Sequence, residues 1–183
     1  MTRDSTPSGS RRPIPLQADF PAPLVEAAGH LAEGKLAKAE AILRPYVHQH
    51  PADVNGIRML GEVGMALGAL RDAENLLQRC VELAPDYHAA RYAYANALYK
   101  RHRYDEALGQ LDTLLAVEPT NPAWLTLKAA NLVEINEHER AIPIFAEVNP
   151  HLEVGEVVLY YRTSGERIFQ KVAMKRHEQG WAA

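Results

Sequence analysis

The chain has 183 residues, of which 47% are hydrophobic and 7% aromatic, and a formal net charge of -3. That is enough apolar material for a core, and the weak negative charge provides no global basic field for nucleic acid or anionic lipid. A single cysteine, Cys80, leaves neither an internal disulfide nor a multi-cysteine zinc site available and points to a reducing compartment.

The N-terminus, MTRDSTPSGSRRPIPL, has no continuous apolar run behind its arginines, and no stretch approaches the roughly 18 apolar residues of a membrane span. A soluble, unexported, cytoplasmic protein is therefore expected. Residues 1–22 hold three Arg against two Asp, for +1, and read as a flexible arm. Residues 154–183 hold five Lys/Arg against three Glu, for +2, which leaves -6 for 23–153.

That acidic centre repeats with a period of 34. Ala39, Ala73, Ala107 and Ala141 are each 34 apart, and Pro51, Pro85 and Pro119 keep the same period twelve residues after the first three alanines. Five residues before each alanine stand Gly34, Gly68, His102 and Asn136. Four residues after each stand Leu43, Leu77, Leu111 and Phe145. The spacing predicts helix-turn-helix units over about 20–53, 54–87, 88–121 and 122–153.

In the first unit Pro21 and Pro23 delay the opening helix to about Leu24. The spans 55–67, 89–101 and 123–135 carry helical apolar stripes, such as Ile57, Leu60, Val63 and Leu67, and each stops near a residue that tolerates left-handed backbone. Each second helix places its alanine where a neighbouring backbone must come close. The proline then ends it, and Asp53, Asp86 and Asn121 suit the following turn and can supply caps.

Period, small-residue positions and terminal proline resemble the tetratricopeptide repeat (TPR). The resemblance implies an all-α, right-handed solenoid of helix pairs. The second unit fits best, with Leu60-Gly61, Gly68, Ala73, Leu77 and Pro85 at motif positions. The third has Tyr94-Ala95 and His102 instead, and the fourth has Lys128-Ala129 and lacks the proline. The run LAPDYHAARYAYANALYKRHRYDEAL and its continuation are also similar to the repeat region that precedes the catalytic domain of bacterial TPR sulfotransferases. That likeness implies a missing or separately encoded domain using 3′-phosphoadenosine-5′-phosphosulfate, or a truncated relic. TPSGS at 6–10 has no strand before it, and RTSGER at 162–167 has too little chain after it, so neither reads as a phosphate loop.

Beyond 153, GEVVLYY opens like a fifth repeat, but RTSG interrupts it about a turn early. IFQKVAMKRHEQGW carries Ile168, Phe169 and Val172 at helical spacing. The segment 154–183 is thus expected to be a degenerate fifth repeat or a pair of capping helices that covers the last apolar face.

No catalytic constellation emerges. The eight histidines lie at spacings unsuited to a metal, with His102 and His138 read as turn residues. Cys80 falls on a packing position, and Asp105-Glu106 complement a helix N-terminus. No cofactor, metal or enzymatic activity is expected. The resemblance implies instead a concave, ligand-facing side lined by the first helices. It assigns there Asn55, Arg58, Glu62, Met65 and Ala66, then Ala89, Tyr92, Asn96, Tyr99 and Lys100, then Ala123, Thr126, Ala130, Val133 and Glu134. Tyr92, Asn96 and Tyr99 share one face, two rings with an amide between them and Arg58 and Lys100 alongside, suited to a protein or peptide ligand. Glu62 and Ala130 stand where a carboxylate clamp would need asparagines, which argues against a C-terminal carboxylate ligand.

Overall fold

The computed structural model describes residues 20–148, 156–161, 170–177 and 180–182. Eight helices run in chain order: α1 (Ala22–Ala32), α2 (Leu36–Gln49), α3 (Val54–Ala66), α4 (Leu70–Leu83), α5 (His88–Lys100), α6 (Tyr104–Leu115), α7 (Pro122–Glu134) and α8 (His138–Val148). They pair as α1/α2, α3/α4, α5/α6 and α7/α8, and each pair packs on the next. The repeat region is all-α, an open TPR stack. Among the described residues no helix is long and apolar enough to cross a membrane.

The turn inside every pair is the same device. Gly34, Gly68, His102 and Asn136 have φ of 71°, 82°, 60° and 64°. In each case the left-handed residue donates its N–H to the carbonyl three residues back, as in Gly34 to Leu31 (3.0 Å) and His102 to Tyr99 (2.9 Å). The next residue donates to the carbonyl five residues back, as in Lys35 to His30 (2.8 Å) and Arg103 to Leu98 (2.9 Å). These two bonds satisfy carbonyls that the helix end leaves open and turn the chain within three residues. Glycine does this without steric cost, and Asn and His are among the side chains that tolerate it. His138, by contrast, is the first residue of α8 and not a turn residue.

Close packing follows from small residues on the facing surfaces. Ala39, Ala73 and Ala107 are completely buried, and Ala141 nearly so. A Cβ added at Gly64 would stand 3.2 Å from that of Ala73, and one at Gly61 would stand 2.7 Å from Leu77 Cγ. Leu43, Leu77 and Leu111, one turn beyond the alanines, are fully buried as well. Cys80 is among them: its thiol donates to the Val54 carbonyl at 3.2 Å, and burial pushes its pKa up to about 11. It is a packing residue.

Helix starts match the sequence reading to within one or two residues. α3, α5 and α7 each begin and end one residue earlier than the apolar stripes suggested. α1 begins at Ala22, before Leu24, because a proline within the first turn costs the helix no hydrogen bond. Asp53 caps α3 through Asn55 N (2.9 Å) and Gly56 N (3.2 Å), and Asn121 caps α7 through Ala123 N and Trp124 N. Asp86 caps nothing: the residue before α5 is Tyr87, which makes no side-chain cap. The 34-residue register explains this, because Asp53 and Asn121 are two periods apart with position 87 midway between them. Asp86 is one residue short of the cap.

Repeats two and three are also joined by a buried carboxylate. Glu74, 3% exposed on α4, accepts from Arg101 and Arg103, which flank the left-handed His102. Arg103 continues to Glu106 in the first turn of α6.

Past the solenoid the chain changes structure. β1 (Glu156–Tyr161), β2 (Gln170–His177) and β3 (Gly180–Ala182) form an antiparallel sheet in that order. This corrects the expectation of capping helices over 154–183. The register sets Glu156 opposite Lys175 and Val158 opposite Ala173. Two adjacent valines and two adjacent tyrosines in EVVLYY favour extended backbone, and the helical spacing read in IFQKVAMKRH rested on only three apolar residues. Residues 1–19 of the expected arm, 149–153 of the fourth unit, and the TPSGS and RTSGER segments lie outside the described residues.

Two stability predictions follow from this packing. Gly61→Ala should lower the unfolding free energy by about 1–3 kcal/mol, since Leu77 must move. Gly29→Ala, whose Cβ would meet nothing within 4 Å, should be neutral or up to about 1 kcal/mol stabilising. Urea unfolding of the two variants beside wild type checks the difference. Glu74→Gln should cost about 1–3 kcal/mol by leaving two guanidinium groups without their carboxylate. Glu106→Gln, which alters an exposed partner, should change stability by at most about 1 kcal/mol, and thermal melts of the pair test the contrast.

Candidate functional site

Because turns alternate the direction of successive helices, the first helices α3, α5 and α7 all run the same way. α3 touches α5, and α5 touches α7, so the three form one continuous wall. The ligand-facing positions inferred from the sequence lie on these helices, yet the structure divides them into three neighbourhoods of different chemistry.

The first, on α3, is satisfied within the chain. Arg58 Nη1 donates to Glu62 Oε1 at 2.6 Å and Arg58 Nε donates to the Tyr87 hydroxyl at 2.8 Å. That hydroxyl donates in turn to Asn55 Oδ1 at 2.9 Å. The guanidinium also sits 5.8 Å from the centre of the Tyr87 ring. Burial works against the Arg58 charge, but Glu62 and then Tyr87 more than offset it, so its pKa is raised. Arg58 is therefore a neutralised, oriented group, not a free cation beside the groove. Met65, a turn further on, is partly buried against the cluster formed by Leu77, Ala93, Tyr94 and Leu98.

The second neighbourhood lies between α5 and α7. Tyr92 on one wall and Pro122, Ala123, Thr126, Leu127 and Ala130 on the other enclose a groove of about 420 Å³. The walls are almost wholly methyl, methylene and ring carbon. The polar atom of Thr126 is turned back to its own helix, donating to the Pro122 carbonyl at 2.7 Å. The groove is shaped by side-chain size: alanines at 123 and 130 leave the space, and Trp124 and Leu127, packed against Ala95, Leu111 and Leu114, hold α7 behind it. Asn96, one turn along α5 from Tyr92, is half-buried and has no hydrogen-bond partner among the described residues.

The third neighbourhood is at the opposite end of α5. Tyr99 lies with its ring 5.8 Å from that of Tyr104. The Tyr104 hydroxyl is 2.5 Å from His102 Nδ1 and donates to Glu134 at 3.4 Å. Partial burial, then the Glu134 charge, raise the Tyr104 pKa. Lys100 beside it is exposed. Tyr92 and Tyr99 thus occupy the same face of one helix but belong to different surroundings, a groove at one end and a turn cluster at the other.

Three residues escaped the reading from sequence. Tyr87 sits at the cap position of its repeat, where a tyrosine in place of Asp53 or Asn121 was the available signal. Pro122 and Leu127 fall outside the inferred ligand-facing register, and only their neighbours Ala123 and Thr126 marked the place.

Comparison with known proteins agrees with this architecture. No curated protein sequence matches the chain. Among solved structures, MamA 41-end from Desulfovibrio magneticus RS-1 superposes with a TM-score of 0.64 at 19% identity, covering 70% of this chain and 72% of that one. A MamA from AMB-1 gives 0.64 at 22% identity, over 69% and 75% of the two chains. At these identities the likeness establishes the TPR fold. The narrower resemblance to sulfotransferase repeats finds no support in these comparisons. Residues 24–156 match the model described as the cytochrome c-type biogenesis protein H TPR domain. That span is well over half of the chain, and the protein belongs to this TPR family.

Proposed function

We propose that the protein is a non-catalytic binding module that holds a protein segment in the groove between α5 and α7. The observation that carries this reading is the groove itself: about 420 Å³ of open, apolar space between Tyr92 and the alanines of α7, in the middle of the wall of first helices. Such a surface suits an extended segment with small or ring-shaped apolar side chains, for which Tyr92 supplies contact area at low entropic cost. Asn96 supplies the amide that a bound backbone can pair with, and Lys100 and Tyr99 form the far rim. Arg58 and Glu62 bound the site on the α3 side as a self-neutralised pair, so selection by ligand charge is weak at that end. The apolar lining offers a catalytic step no nucleophile and no acid or base.

Selection of twelve-residue peptides against the immobilised protein, followed by calorimetry of the best binder, tests this reading. Tyr92→Ala should weaken binding about tenfold, in line with loss of one aromatic anchor. Ala130→Arg, which fills the groove from the solvent side, should abolish detectable binding without lowering the melting temperature by more than a few degrees. A peptide that binds both variants as tightly as wild type places the binding surface elsewhere and overturns the assignment.

A further inference from the structure

We infer that the groove has an occupant within the chain: the segment Arg11-Arg12-Pro13-Ile14-Pro15-Leu16, docked across Tyr92 and Ala130 and displaced when another segment binds. This inference rests on the groove reading above and adds its regulation. Three independent features converge on it.

The first is reach. α1, α3, α5 and α7 run in the same direction, so the end at which the chain enters α1 is also the end where α5 and α7 begin. The groove is near that end, since its lining comes from Tyr92 on the second turn of α5 and from residues 122 to 130 of α7. Packed helices lie about 8–10 Å apart, so two to three steps from α1 cover about 20–30 Å. Extended chain advances about 3.3 Å per residue, so about six to nine residues bridge the gap. Counting back from Pro21, the residue before α1, brings Arg12 to Pro15 to the groove.

The second is backbone chemistry. Pro13 and Pro15 hold Arg12 and Ile14 in extended conformations and remove two N–H groups. A groove whose one hydroxyl is already bonded to its own helix offers few acceptors, so a segment with few donors enters with little desolvation cost. Proline and isoleucine match its apolar walls, and proline rings pack on a tyrosine face in the manner of polyproline recognition.

The third is charge. The segment opens with two arginines in an arm of +1, while residues 23–153 carry -6. Glu118, exposed in the loop that leads to α7, stands beside the groove mouth on the side of Pro122. The attraction favours this arm over an acidic competitor and weakens with salt.

Photo-crosslinking in the full chain tests the assignment. With p-benzoylphenylalanine at position 16, irradiation of dilute protein should place most crosslinks on residue 92 and on 122–130 of the same chain. Ala130→Arg should reduce those crosslinks at least fivefold. Crosslinks spread over the solenoid, or found only between copies in an equal mixture of light and heavy protein, overturn the inference. A second measurement uses the peptide selected above: Pro13→Ala/Pro15→Ala in the full chain should bind it at least threefold more tightly, because the internal competitor is weakened. Unchanged affinity also overturns the inference. If that peptide still requires Tyr92 and an open Ala130 while the crosslinks lie elsewhere, the arm is excluded and the groove stands. If the peptide tolerates Tyr92→Ala and Ala130→Arg, both readings fall.

Discussion

The fold depends on a single backbone constraint repeated every 34 residues. A residue in the left-handed region at positions 34, 68, 102 and 136 lets each helix end in two hydrogen bonds and reverse within three residues. A turn so short fixes the second helix of each pair close against the first, and the pair then accepts only small side chains at the crossing. Hence Ala73 opposite Gly64 and Leu77 against Gly61, contacts with no room for one added carbon. Turn and crossing are coupled: loosening either would separate the helices and leave the buried alanines facing a gap, which close-packed interiors do not tolerate.

From the pairs, the stack follows. Because every repeat turns alike, the first helices share a direction and form one wall, while buried leucines and Cys80 fill the space behind them. The Glu74 clasp adds a polar link between repeats two and three, and it too is anchored at a left-handed turn, through the arginines on either side of His102. The turn therefore contributes twice, once by shaping its own repeat and once by presenting side chains to the previous one. Membership in the cytochrome c-type biogenesis protein H TPR family and likeness to MamA are consequences of this geometry at sequence identities of about 20%.

Much of this was readable in the sequence because it lies in residues that have few physical alternatives. A glycine or asparagine at fixed intervals, an alanine five residues later and a proline twelve beyond that constrain backbone and volume, and the structure keeps each of them in register. What could not be read depended on side chains with several uses. Tyr99 falls on the same helical face as Tyr92, yet it is drawn to Tyr104 and the turn by contacts between elements 30 residues apart. Arg58 reads as a free cation until Tyr87, from the following repeat, is seen to orient it toward Glu62. The strands after 156 were missed for a different reason: once the 34-residue period lapses, local spacing alone must separate strand from helix, and three apolar residues are too few to do so.

The asymmetry of the concave wall has its origin in a one-residue shift of chemistry at a repeated position. Asp53 and Asn121 cap their helices with side-chain oxygens, whereas Tyr87, at the equivalent place, cannot fold back on the amides of α5. Its hydroxyl instead reaches across to α3, where it takes up Arg58 and Asn55. The capping bonds lost in the third repeat are thereby matched by a network that occupies the polar groups of the second repeat. Nothing comparable covers the space between α5 and α7, because α7 keeps its own cap and presents alanines at 123 and 130. The same substitution that closes one end of the wall to a charged ligand leaves its centre apolar and open, and that contrast makes the groove selective for segments rich in proline and aliphatic side chains over acidic or strongly polar ones.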